Sequence, residues 1–500
     1  MKFLTKLMYA IHRVLGTLLS ILFFVWFLSA FVMMYHRFPR VSEKEKLQRQ
    51  ELLTRTADTL PDIADVVAHV AKDEKIRSLS LCRSLGQTVF EIKTNKGELN
   101  LSATPSDTIL PISREYILRN ASLWNKEPIS RIDTLDALDT WIPFEKLKKE
   151  LPIYKIHFND KEKTELYMSS QSGEALQHST HKERVWAWFS AIPHWGYFAW
   201  LRQNTALWRR TMITLTALGC LMVFAGCWVT IDVWKKNRRR SHSTFSPYKK
   251  KWYHWHYVSG IFFGLFVFTF TFSGMMSLNS VQEWNASKGE KAVSPVKKLQ
   301  VLSVCPEQFK LDYRQVLARY PKTKEIKWSC FGNHPYYTLK EDKKEWYIDA
   351  ADPTMKPLDL TEEDVCAAIH KAYGKDSVFQ LSAMEISSLN HFETYYRDMN
   401  AMYRGQSQLP VWKVEMNDAG NRVFYIHPQT AKVRYVDTVV RWKYWTYTAL
   451  HRMRLPGLNS NGTLRKGILW MLLLGGTMVS ASGVMLSVNY IRKKYRKLKK

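Results

Sequence analysis

The stretch HWHYVSG, His254 to Gly260, followed by the apolar run IFFGLFVFTFTFSGMMSL, decides how the chain is read. It has the pattern of a membrane helix that begins with histidine. Near the N-terminus IHRVLG repeats it: His12 and Gly16 stand where His256 and Gly260 stand, and Ser29 follows His12 at the spacing by which Ser273 follows His256. An ionisable side chain at a membrane helix needs a partner or a purpose. The repeated histidine is therefore the first functional clue.

Working outward, four runs are long and apolar enough to span a bilayer, which takes about 20 residues: 14–35, 212–234, 258–278 and 468–488. Lys2, Lys6 and Arg13 flank the first run as in a signal peptide. It is too long for a signal core, however, and no small-x-small cleavage site follows, so a retained anchor is expected. The formal charge of +28 is concentrated in WKKNRRR, YKKK and RKKYRKLKK beside the spans. The positive-inside rule then places both termini of a multi-pass membrane protein in the cytoplasm, and this placement argues against a nucleic-acid partner. The expected order is 1–36 (cytoplasmic N-terminus and first span), 37–210 (outer domain), 211–235 (second span), 236–257 (basic loop), 258–278 (third span), 279–466 (second outer domain), 467–490 (fourth span) and 491–500 (basic tail).

Six cysteines without CxxC or CxxCH argue against a thioredoxin-like site, a zinc ribbon and covalently attached c-type haem. Cys220 and Cys227 lie in the second span, while Cys82, Cys305, Cys330 and Cys366 lie outside, where a disulfide is left open.

Both outer regions read as α+β. The first has helical spacing in SEKEKLQRQELLTR and LPDIADVVAHVAKDE, then alternating SLSLCRS, TVFEIKT and GELNLSA, and later LPIYKIHFND and TELYMSSQSGEAL. The second has PEQFKLDYRQVLARY, then EIKWSCF, PYYTLKE and KEWYIDA, a helix around EEDVCAAIHKAY, and LPVWKVEMND with RVFYIHPQTAKV. LPIYKIHFND and LPVWKVEMND align without a gap. Beyond them Trp188 matches Trp445, His194 matches His451, Gly219 matches Gly476 and Gly226 matches Gly483. Two parallel tandem repeats related by a pseudo-twofold along the membrane normal are expected.

The chain resembles the PepSY-associated transmembrane family of iron-regulated membrane proteins and ferric-siderophore reductases. The resemblance rests on HRVLG and HYVSG, on LPVWKVEMNDAGNRVFYIHPQTAKV, and on LHRMRLPG followed by GTMVSASGVML. Ser29-Ala30 departs from Ser273-Gly274, and the first PepSY-like copy is the more divergent. The resemblance implies two extracytoplasmic PepSY-like domains, haem b, and reduction of a ferric chelate for iron acquisition.

A neutral imidazole is a good axial ligand for haem iron, and two of them make a low-spin centre suited to single electrons. His12 and His256 both start outgoing helices, and His194 and His451 both precede returning ones. Symmetry predicts two haems, one between each equivalent pair. Gly16 and Gly260, one turn beyond their histidines, would leave room for the macrocycle, and Gly219/Gly226 and Gly476/Gly483 could do likewise. His36 is a substitute outer ligand, and His254 lacks a repeat partner. The residues between each outer histidine and its span must fold back.

Remaining features are an aromatic belt around 186–200 and 442–447, Asp232 within reach of Lys235 or Lys236, and the tract LNHFETYYRDMNAMYR, where His391, Tyr395, Tyr396 and Arg397 form a candidate binding patch. No P-loop or dinucleotide signature occurs, so a separate cytoplasmic or membrane carrier must deliver electrons. The competing readings are a membrane-anchored PepSY protein that binds or restrains a partner such as a peptidase, and a transporter. The transporter would need a polar path that these spans lack.

Overall fold

The computed structural model describes residues 2–53, 60–71, 73–103, 112–240, 245–278, 296, 299, 308–374, 384–397, 408–416, 418, 420–459 and 461–499. Four long helices form the membrane part: α1 (Lys2–Met33), α2 (Thr205–Arg240), α3 (Lys251–Met276) and α4 (Gly462–Leu498). Each is long and apolar enough to cross a bilayer, which makes this a membrane protein.

α2 and α4 extend well beyond their apolar runs at both ends, and α1 and α3 do so at their starts. Basic and aromatic flanks are good interfacial helix formers, and continuing the helix satisfies backbone groups that would otherwise need other partners. His12 therefore lies inside α1, and His254 and His256 lie on α3, rather than in the loop and at the helix starts that hydropathy alone suggests.

Each helix packs on two others: α1 and α3 both touch α2 and α4, so α1 and α3 face one another across the bundle axis. Neighbours run antiparallel. Ser20 meets Ser487 and Tyr35 meets Trp470 between α1 and α4, and Tyr9 meets Asp232 between α1 and α2. Both chain ends thus lie at one end of the bundle. Leu19, Phe23, Phe27, Met222, Val223, Val267, Phe270, Leu472 and Leu473 fill the axis. Leu18, Ile21, Leu265 and Leu474 are exposed, as a lipid-facing surface requires.

The far end carries three antiparallel sheets. β4 (Ile129–Leu135), β5 (Ile153–Phe158), β6 (Glu165–Ser169) and β7 (Ala175–Ser179) form one in sequence order. β11 (Met384–Leu389), β12 (Val411–Met416), β13 (Arg422–Ile426) and β14 (Val433–Val436) form another. The third is built by both halves: β1 (Ile76–Ser84), β2 (Gln87–Thr94) and β3 (Glu98–Ser102) join β8 (Glu325–Phe331), β9 (His334–Lys340) and β10 (Glu345–Asp349) in the order β10-β9-β8-β1-β2-β3. Leu79 stands opposite Trp328 and Leu81 opposite Ile326.

Reading each outer region by itself assigns the strands but misses this join. A three-stranded meander leaves edge N–H and C=O groups unpaired, and here β1 and β8 pair with each other. The shared core holds Leu79, Leu81, Phe90, Ile326, Trp328 and Leu339, all inaccessible to solvent.

The helices expected from periodicity are present but mostly shorter. Glu43–Arg49 starts from a Ser42/Glu45 capping box and Glu362–Tyr373 from a Thr361/Asp364 box. Ile63–Ala68 and Tyr313–Arg319 are one to two turns each. Cys82 and Cys366 are free thiols, and Cys305 lies outside the described residues.

Candidate functional site: two histidine pairs on the bundle axis

The His12 and His256 rings face each other with centroids 6.1 Å apart, and those of His194 and His451 are 6.3 Å apart. These are the pairs that the internal sequence match predicts. His12 and His256 approach from the diagonal helices α1 and α3. His194 sits on the short helix Ala191–Trp195, which packs on α1, and His451 sits on Leu450–Arg452, which packs on α3.

Each ring is held by its Nδ1. His12 Nδ1 is 3.0 Å from the Met222 carbonyl oxygen, His256 Nδ1 3.2 Å from that of Val479, His194 Nδ1 3.1 Å from that of Trp26, and His451 Nδ1 3.2 Å from that of Phe270. A carbonyl oxygen only accepts, so Nδ1 carries the proton and donates it. The neutral tautomer that remains has a bare lone pair on Nε2. Burial reinforces neutrality for the outer pair on its short helices: it lowers the His194 pKa to about 4, and burial together with the nearby His194 lowers that of His451 to about 3.

Three serines add a second contact to Nδ1: Ser482 at 3.0 Å from His256, Ser273 at 3.1 Å from His451 and Ser29 at 3.3 Å from His194. Each of these hydroxyls also donates to a helix carbonyl, so its oxygen is free to accept from the imidazole. Ala225 occupies the α2 position that matches Ser482, and His12 has only the carbonyl. These serines escape sequence reasoning as site residues. The one available signal is the shared His-to-Ser spacing of Ser29 and Ser273.

The fold-back required before α2 and α4 is present. After His194 the chain reverses at Gly196, φ +62°, and the Trp208 indole N–H donates to the Trp195 carbonyl at 2.8 Å. On the other side a π-helical stretch, Tyr444–Ala449, leads into His451. The turn then closes through Met453 at φ +49°, with the Tyr444 hydroxyl donating to the Arg454 carbonyl at 2.6 Å.

Two imidazole nitrogens each about 2 Å from a shared metal, with about 1 Å more from each nitrogen to its ring centre, require centroids about 6 Å apart. Both pairs meet that spacing. No protein atom outside the helix's own backbone and its immediate chain neighbours lies within 4 Å of a side chain built at Gly16 or Gly260, so both positions leave open space. The donor set, two neutral imidazoles without carboxylate or thiolate, fits axial ligation of a planar macrocycle.

The other glycine stripe has a different role from the one expected. A Cβ at Gly226 would lie 2.6 Å from His12 Cε1, one at Gly219 2.7 Å from Phe23, and one at Gly476 2.3 Å from Phe27. These glycines seat rings from α1 and clear no room for a cofactor. His36 stacks on Trp186 at 4.4 Å, and His254 lies against Trp255.

The candidate patch around 391–397 disperses. Tyr396 is buried, stacks near Tyr425 and donates to the Gln408 carbonyl at 2.6 Å, while Tyr395 accepts from the Trp445 indole at 3.1 Å. His391 is exposed, and the Arg397 side chain and 398–407 lie outside the described residues. Asp232 takes Lys236 as partner at 2.6 Å.

No family model matches this chain, and no curated protein sequence matches it.

Proposed function

We propose that the chain is a two-repeat haem b protein of the PepSY-associated kind, carrying electrons across the bacterial inner membrane from its terminus-bearing, cytoplasmic end to a ferric chelate outside. The observation that carries this reading is the pair of facing imidazole couples, each with Nδ1 committed to a carbonyl and Nε2 bare. Haem bound there would supply a one-electron couple at iron.

The chain's own residues set where that couple can sit. Trp26 and Phe270, which hold the outer histidines, lie fourteen residues beyond His12 and His256. At 1.5 Å per residue the two levels are about 21 Å apart, within a hydrocarbon core about 30 Å thick. Phe23, Phe27 and Phe270 fill the interval with apolar rings and keep it dry. The hydrogen-bonded Nδ1 groups fix ring orientation and raise ligand basicity. The basic segments beside the bundle end that carries both termini support its cytoplasmic placement, and the sheet region at the far end would present the docking surface. Reduction of iron(III) weakens its hold on hard oxygen donors, which would release the metal for uptake.

The test is an absorption spectrum of detergent-purified protein, oxidised and dithionite-reduced, beside His256→Ala. Sharp b-type α-bands, about halved in the variant and reoxidised by ferric chelates, are expected. Absence of a Soret band after haem-replete expression would refute the reading and leave a membrane-anchored binding protein.

A further inference from the structure

At the terminus-bearing end of the bundle, a polar and aromatic cluster lies next to the inner histidine pair and takes no part in holding it. The Tyr9 hydroxyl on α1 donates to Asp232 Oδ2 on α2 at 3.0 Å, and Lys236 reaches the same oxygen at 2.6 Å. Neither contact uses Asp232 Oδ1. Tyr257 on α3, the residue after His256, is 6% exposed, and its buried hydroxyl has no hydrogen-bond partner among the described residues.

Tyr248 joins the two groups. Its ring meets Tyr257 edge-on at 5.6 Å and Tyr253 at 5.7 Å, and it lies near enough to Tyr9 to act on it electrostatically. The same segment lays Phe245 on Phe262 at 5.9 Å, both exposed on the outside of the bundle. A path of aromatic surface therefore runs from the lipid face to the hydroxyls and the carboxylate.

The cluster is close to the inner centre. Asp232 lies six residues, about 9 Å of helix, beyond Gly226, against which the His12 ring rests. Tyr9 precedes His12 by one turn.

We propose that this cluster is a binding site for a membrane quinol, which serves as the electron donor. The proposal rests on the haem reading above. A hydroquinone has a flat ring for the tyrosines, two hydroxyls for the unpartnered Tyr257 and for Asp232, and an apolar tail for the Phe245/Phe262 face. Its oxidation releases two electrons and two protons. Haem held by His12 and His256 would take up the electrons one at a time, two such transfers giving the quinone, and both hydroxyl protons would be released to the cytoplasm, the one facing Asp232 by way of Oδ1. A buried hydroxyl left without a partner is the feature that a ligand with polar ring substituents would complete.

The test uses full-length protein in lipid nanodiscs with a decyl-tailed benzoquinol as reductant and its quinone for binding. Wild type should bind the quinone saturably, read by quenching of protein fluorescence, and should show α-bands on adding quinol. Tyr257→Phe, which deletes one hydroxyl, should weaken quinone binding about tenfold. Asp232→Asn should bind within about threefold of wild type yet be reduced at least tenfold more slowly. Dithionite-reduced spectra should be unchanged in both.

Failure of the quinol to reduce wild type that dithionite reduces fully would overturn the proposal, as would wild-type behaviour in both variants. If dithionite gives no bands at all, the haem reading falls. The binding titration on haem-free protein then decides the site: saturable, Tyr257-dependent quenching supports it and absence of quenching overturns it.

Discussion

If the proposed haem reading holds, Gly226→Ala should remove the haem at His12 and His256 and spare the one at His194 and His451. The added methyl would lie 2.6 Å from His12 Cε1 and 2.8 Å from Nδ1. Carbon atoms in contact prefer about 3.5 to 4 Å, so the ring must retreat by about 1 Å. Gly226 and Met222 are on the same helix, so the retreat also stretches the 3.0 Å bond from Nδ1 to the Met222 carbonyl to about 4 Å, beyond hydrogen-bond range. The lost bond costs about 1 to 3 kcal/mol and overpacking adds about 1 to 3 kcal/mol. His12 has no serine to take over.

The matching substitution Gly483→Ala is the control, because its methyl would meet His256 at 3.6 Å and Ser20 at 3.8 Å, ordinary contact distances. Haem per protein, from pyridine extracts and the reduced α-band, should fall to about half in Gly226→Ala and stay near two in Gly483→Ala. Equal haem content in the two variants would refute the assignment of Gly226 as the seat of an axial ligand.

Two further outcomes are expected outside the membrane. Trp328→Ala empties a fully buried position in the sheet that both halves build and should cost about 3 to 5 kcal/mol; fragmentary unfolding of one outer region alone, followed by limited proteolysis, would contradict the shared sheet. His334 lies 3.1 Å from Asp349 and 3.2 Å from Asp364. The nearby Asp349 carboxylate raises its pKa from the ordinary histidine value against the opposing effect of burial, and Asp364 adds to the rise. A raised folded pKa gives stability that is complete below the unfolded value and is lost as pH rises through the folded value. Thermal unfolding should therefore show a stability loss from about pH 6.5 upward that His334→Gln abolishes; an unchanged slope in the variant would exclude His334 as its source.

The spans and the histidine pairing were legible in the sequence because both depend on local pattern or on repetition. A run of apolar residues marks a helix wherever it falls. Two equivalent helices of an even-numbered bundle bring equivalent residues to one axis, so His12 finds His256 and His194 finds His451. Gly16 and Gly260 follow from helical spacing alone. The carbonyl partners were not legible, because Met222 and Val479 are separated from their histidines by more than 200 residues and their contact depends on helix rotation.

Within the chain alone, hydropathy and periodicity determined four spans, α+β regions between them and a repeated histidine signature, since these are properties of neighbouring residues. Tertiary structure decided what those residues meet. It gave His36 to Trp186 and Tyr396 to a packed core, turned Gly226 into a seat for His12, and joined β1 to β8 across the two halves. Each of these rests on an ångström-scale distance between residues on different elements. Side-chain packing and edge-strand pairing set such distances, and no local pattern encodes them.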